Sequence, residues 1–133
     1  MSTESEFRAA IASDTTIVLQ NNITLTAAGS TSSKFTISGK TGLVIDGAGY
    51  TLGFSSSDSG NGRIFYIGSS SSVEMRDLRL ENGYVYSTSN TVYGGAIYIT
   101  GSSTLEMTSC ALSGHKVATT VGFEFVVHES LAY

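Results

Sequence analysis

Proline is absent from the 133 residues, cysteine occurs once, and only 14% of the side chains are charged. Without proline every backbone amide stays available to a hydrogen-bonded ladder, which suits uninterrupted strands. A single cysteine, Cys110, excludes an internal disulfide framework. Seven Lys and Arg against eleven Asp and Glu leave a formal net charge of −4. The basic residues form no run, so a nucleic-acid partner is not expected. No apolar stretch approaches the roughly 18 residues of a membrane span, and Met1-Ser2-Thr3-Glu4-Ser5-Glu6 does not read as a signal peptide. Such a start is compatible with an intracellular chain, a mature segment or a fragment.

What is present is a pattern written twice. Phe65/Ile67, Val73/Met75 and Leu78/Leu80 return as Ile97/Ile99, Leu105/Met107 and Cys110/Leu112, each displaced by 32 residues (97 − 65, 105 − 73, 110 − 78). A constant displacement of this size marks a stacked repeat. Each apolar-x-apolar pair puts both members on one face of a strand. Three such pairs per copy describe a coil of three sides with its apolar residues inward. A helix cannot account for the repeat, because the apolar positions do not recur at three and four and runs such as Gly68-Ser69-Ser70-Ser71-Ser72 interrupt it. Those runs are turns between sides. Leucine-rich repeats would need a different consensus.

The fold expected is therefore all-β, a right-handed parallel β-helix of three sheets, with coils about 4.8 Å apart. Phe35/Ile37, Leu43/Ile45 and Ala48/Tyr50 supply an earlier coil, and Ile17/Leu19 with Ile23/Leu25 supply the first two sides of another. About four coils then begin near residues 17, 35, 65 and 97, in one domain spanning 1–133. Thr3-x-x-Glu6 reads as a capping box, with Phe7, Ala10 and Ile11 at helical spacing behind it. A short helix over 5–12 is expected to cover the open end of the stack. Coils occupy 15–115, and 116–133 reads as an irregular partial coil or end cap. An uncovered end there would favour self-association.

Leu43-Val44-Ile45-Asp46-Gly47-Ala48-Gly49 at a strand-turn-strand corner resembles the early coils of the pectin-lyase-like superfamily. Phe7-Arg8-Ala9-Ala10-Ile11 leading into Ile17-Val18-Leu19 resembles the cap and first strand of the same proteins. Gly94-Gly95-Ala96-Ile97, with Cys110-Ala111-Leu112-Ser113-Gly114 behind it, resembles the repeats of polymorphic outer-membrane-protein-like adhesins, although those pair the motif with Phe-x-x-Asn. Together the resemblance covers residues 7–115. It implies an extracellular or cell-surface β-helix that contacts a polysaccharide or a cell-surface protein through its turns. The alternative it implies is a pectin-lyase-like lyase or hydrolase, or a truncated part of one.

Registering the coils puts outward residues in columns. Val44, Glu74 and Glu106 form one, and Asp46, Arg76 and Thr108 form its neighbour. Stacked carboxylates about 5 Å apart repel by roughly 1–3 kcal/mol, depending on the dielectric, so Arg76 is expected to neutralise the cluster. Calcium is disfavoured by an arginine among the carboxylates, and nothing else points to a metal or cofactor. Thr36, Tyr66 and Tyr98 form a column in which the two tyrosine rings stack, and the turn at 83–93 carries Tyr84, Tyr86 and Tyr93. Rings beside polar groups suit contact with a glycan or protein, so Tyr66, Tyr98, Tyr84, Tyr86, Tyr93, Glu74, Glu106 and Arg76 are the candidate ligand contacts. Residues 55–61 read as a flexible polar loop, and Cys110 as a small inward hydrophobe. The paired aspartates, Gly-His-Gly and Arg-x-Lys of polygalacturonase-like enzymes do not occur together, and His115 and His128 show no partner by spacing, so no catalytic residue is named.

Overall fold

The computed structural model describes residues 2–87, 94–118 and 127–129. The chain opens with α1 (Glu4–Ala10) and the short strands β1 (Thr16–Val18) and β2 (Ile23–Thr24). One coil follows in β3 (Ser33–Ser38), β4 (Leu43–Asp46) and β5 (Thr51–Gly53). The next contains β6 (Arg63–Gly68), β7 (Ser72–Arg76), β8 (Arg79–Glu81) and β9 (Tyr84–Tyr86). Its repeat is β10 (Ile97–Ile99), β11 (Thr104–Thr108), β12 (Ala111–Ser113) and β13 (Lys116–Ala118), and β14 (Val127–Glu129) begins another. All the strand pairs are parallel. They build sheet I (β3, β6, β10, β14), sheet II (β1, β4, β7, β11), sheet III (β2, β5, β8, β12) and the two-stranded sheet IV (β9, β13).

This is the all-β solenoid expected, and the 32-residue displacement is its register. Phe65 faces Ile97, Val73 faces Leu105 and Leu80 faces Leu112. Inward columns run through the stack: Phe35–Phe65–Ile97, Ile45–Met75–Met107 and Leu52–Leu80–Leu112. Phe35, Phe65, Ile45, Met75, Leu52 and Leu80 are all 0% exposed. Burying each such side chain contributes about 1.5–3 kcal/mol, so the columns dominate the stability.

Two sequence assignments shift by one side. Ile17 pairs with Ile45 on sheet II and Ile23 with Leu52 on sheet III, whereas the spacing alone had matched Ile17/Leu19 to Phe35/Ile37. The helix explains the offset. Phe7 enters the aromatic column itself, 4.7 Å from Phe35 and 6.0 Å from Phe65 between ring centroids, so α1 takes the place of the missing sheet I strand. The stack accordingly makes about three turns rather than four. Helix entry follows the capping box, with Thr3 Oγ1 accepting from the Glu6 amide at 3.1 Å. Glu4 then ties the cap down through Arg8, Lys34 and the Thr26 amide. Burial opposes ionisation of Glu4, but these partners outweigh it and hold its carboxyl below the usual range.

The second shift is at the corner after β4. Leu52 and Phe54 fill the third side, while Ala48 and Tyr50 face outward. Seven positions separate Ile45 from Leu52 but five separate Met75 from Leu80 (52 − 45, 80 − 75), so Gly47-Ala48-Gly49 forms a longer corner. Gly47 packs under the next coil, where a Cβ would lie 2.4 Å from the Asp77 carbonyl.

Corners repeat as faithfully as strands. Ser70 and Ser102, Asp77 and Ser109, and Asn82 and Gly114 are pairs 32 apart that share left-handed φ values of 57° and 59°, 48° and 54°, and 64° and 71°. A buried hydroxyl ladder seals the corner between sheets I and II. Ser71 donates to the Gly68 carbonyl (2.6 Å) and accepts from the Lys40 amide (3.1 Å), while its own amide donates to Ser103 Oγ (2.9 Å). The loop at 55–61 is tied rather than loose: Asn61 donates to the Ser56 and Asn82 carbonyls and Ser57 to the Gly114 carbonyl. Cys110 stands over Leu78 as expected but is half-buried, as are Leu105, Met107 and Leu112 in the last described strands of sheets II and III. In the tail, Val127–Glu129 pairs with Ile97–Ile99.

Replacing Phe7 with Ala should cost about 3–5 kcal/mol in urea unfolding, and a loss under 1 kcal/mol would mean that the helix does not seal the column. Ala48 has a φ of 51°, so Ala48→Gly should stabilise by about 0.5–1 kcal/mol, the left-handed Cβ penalty less the greater freedom of unfolded glycine.

Candidate functional site

Two outward faces gather the candidate residues. On sheet I the register stacks Thr36, Tyr66 and Tyr98 in one column. The rings of Tyr66 and Tyr98 lie 5.7 Å apart at 57°, within the tilted geometry that ring quadrupoles favour. Gly68 accounts for the pose of Tyr66. A Cβ at 68 would meet Tyr66 Cε1 at 3.0 Å and its hydroxyl at 3.4 Å, so the ring lies along its own strand over a residue without a side chain. Tyr98 is buttressed by Arg63, whose guanidinium carbon is 5.1 Å from the ring centroid. Arg63 donates from Nε to the Gly94 carbonyl (3.0 Å) and from Nη1 to Ser33 Oγ (2.9 Å). Burial lowers the pKa of Arg63 from its ordinary value, partly opposed by Tyr98 and Tyr66.

Arg63 and Gly68 were not legible as site residues. Strict alternation would send Arg63 inward with Phe65 and Ile67. Instead Ile64 and Phe65 are both fully buried, and their amides share the Ala96 carbonyl at 3.1 and 2.9 Å. That break in alternation sets Arg63 beside Tyr98. The glycine of Tyr66-Ile67-Gly68, two residues beyond the tyrosine on the same face, was the one available signal.

On sheet II, Val44, Glu74 and Glu106 stack as expected, beside Asp46, Arg76 and Thr108. Arg76 pairs with Asp46 one coil below, Nε to Oδ2 at 3.4 Å. Among the described residues, neither the Glu74 nor the Glu106 carboxylate has an ion-pair or hydrogen-bond partner, so the neutralisation expected of Arg76 reaches Asp46 alone. Both glutamates border an open depression of about 310 Å³ that Gly42, Val44, Ser72 and Thr104 also line. Among the described residues, no group of three or more His, Cys, Asp or Glu side chains is placed to hold a metal ion.

A sequence profile of the pectate lyase-like adhesive domain family matches residues 1–118. The chain belongs to that family. No curated protein and no solved structure matches it. No described helix of the adhesive domain is long and apolar enough to cross a membrane.

The remaining candidates of this adhesive domain lie apart from the two faces. Tyr84 exchanges backbone hydrogen bonds with Gly62 (both 2.9 Å) and carries Lys116 Nζ 5.7 Å from its ring. Tyr86 is 38% exposed, and Tyr93 lies outside the described residues. His115, 32 positions after Gly83, is enclosed between coils. Its Nδ1 accepts from the Gly83 amide at 2.9 Å, so Nε2 carries the hydrogen donated to the Leu80 carbonyl at 2.7 Å. Both ring nitrogens therefore serve the corner between sheets III and IV.

Burial lowers the pKa of His115, against the raising effects of the Leu80 carbonyl and Glu81. An ordinary histidine titrates near 6.5, so the unfolded chain takes up a proton at pH values where the folded chain resists it. The stabilisation is complete above about pH 6.5 and declines as the pH falls through the folded value, by at most about 1.4 kcal/mol per pH unit. Urea midpoints measured from pH 7.5 downward should show this decline, flattened in His115→Gln. A wild-type and variant pair with identical pH profiles would refute the neutral, doubly bonded imidazole.

Proposed function

We propose that this domain is a non-catalytic adhesive segment of a surface or extracellular protein, contacting a glycan through the outer face of sheet I. The observation that carries the reading is the Tyr66–Tyr98 pair, two rings held 5.7 Å apart by the space over Gly68 and the guanidinium of Arg63. Rings fixed in place bind without the entropy cost of ordering side chains. Membership of an adhesive family supports contact rather than turnover. The non-catalytic part of the proposal is supported at His115, whose two nitrogens are engaged by backbone groups and so cannot shuttle a proton to a substrate. The Gly94-Gly95-Ala96-Ile97 repeat supports a relation to polymorphic outer-membrane-protein-like adhesins within this reading. Self-association through the coil end with half-buried Leu105, Met107 and Leu112 belongs to it as well, and sedimentation over a concentration series tests that part.

On a glycan array the wild-type domain should bind, and the Tyr66→Ala/Tyr98→Ala pair should weaken binding at least tenfold while the thermal transition is retained. Incubation with acidic polysaccharides should give no unsaturated products or new reducing ends. Turnover abolished by Glu74→Gln would replace this reading with a lyase or hydrolase.

A further inference from the structure

Resting on that glycan-contact reading, we infer that the sheet I face accepts an uncharged pyranose chain and discriminates against polyuronates. The outward positions along β3, β6 and β10 are Lys34, Thr36 and Ser38, Tyr66 and Gly68, and Tyr98, with Thr100 just beyond. These offer two aromatic faces and several hydroxyls, and no carboxylate. A pyranose ring has an apolar C–H face that lies flat on such a ring and a rim of hydroxyls that neighbouring Thr and Ser side chains can meet. Gly68 keeps the platform low, since any side chain there would lift Tyr66.

The charges decide the ligand class. Lys34, at the β3 edge of this face, donates to Glu4 Oε2 at 3.0 Å and to Thr26 Oγ1 at 3.1 Å, and Arg63 is only 7% exposed. Its Nε and Nη1 are directed at Gly94 and Ser33, and its plane backs Tyr98, so it braces a ring rather than reaching for a carboxylate. Around the corner on sheet II, Arg76 is engaged with Asp46. A polyanion long enough to continue around that edge meets Glu74 and Glu106, neighbours in register, and their repulsion is strongest at low salt. The net charge of −4 adds to the repulsion.

The test is titration of the domain with neutral gluco- and galacto-oligosaccharides and with oligogalacturonates of matched length, at low and physiological salt, with and without calcium. Ring resonances of Tyr66 and Tyr98 in the unmodified protein report the contact without relying on a variant that folds. Shifts at both tyrosines with neutral chains, binding insensitive to salt, and affinity at least tenfold above that for oligogalacturonates are expected. Oligogalacturonate binding at these tyrosines as tight as neutral binding, with or without calcium, would overturn the selectivity and leave the glycan-contact reading standing. Neutral binding that shifts neither tyrosine would place the contact elsewhere and overturn the inference. A folded wild-type domain that binds no chain of either class would overturn both.

Discussion

Each coil of this domain is held by the hydrogen bonds it makes to the coils above and below, and that dependence governs everything else in the structure. Strands of two to six residues cannot persist alone. They persist because each lies in register with a partner about 30 residues away, so one ladder direction serves the backbone while the inward columns exclude water. The corners of the two 32-residue copies obey the same rule. A left-handed residue at one corner stands on another left-handed residue, so that each copy delivers its next strand in the same register.

This coupling explains what the sequence made legible. A 32-residue displacement read from Phe65, Val73 and Leu78 locates the partners of whole strands, because matched positions in a solenoid are matched in space. The outward columns followed from the same displacement, and with them the pairing of Tyr66 with Tyr98 and of Glu74 with Glu106. Departures from two-residue alternation are what the sequence pattern hides. The corner at Gly47-Ala48-Gly49 is longer by two residues, which keeps parity and so hides the change: Ala48 and Tyr50 lie at apolar-x-apolar spacing yet face out. The break at Ile64 and Phe65 reverses parity, and it concealed Arg63. The phase of the first coil was hidden for another reason, because Phe7 on a helix occupies a column position that only strand patterns had been expected to fill.

A solenoid also limits how a functional surface is made. Neighbouring residues of a face come from successive coils, so similar side chains stack, and the surface alternates between rows of one character rather than mixing them. The aromatic row on sheet I and the carboxylate row on sheet II are products of that rule. A charge in such a row is compensated along the stack rather than across it, as Arg76 is by Asp46.

The helix at the start of the chain gives the stack a direction. With Phe7 seated in the aromatic column and Glu4 bound to Lys34 and Thr26, the sheet I side of the lower end is filled by a helix, while β1 and β2 are the edge strands of sheets II and III. A 32-residue unit gained by gene duplication would find no sheet I strand to pair with beneath the helix, so the tower lengthens most readily from inside, where all three ladders continue.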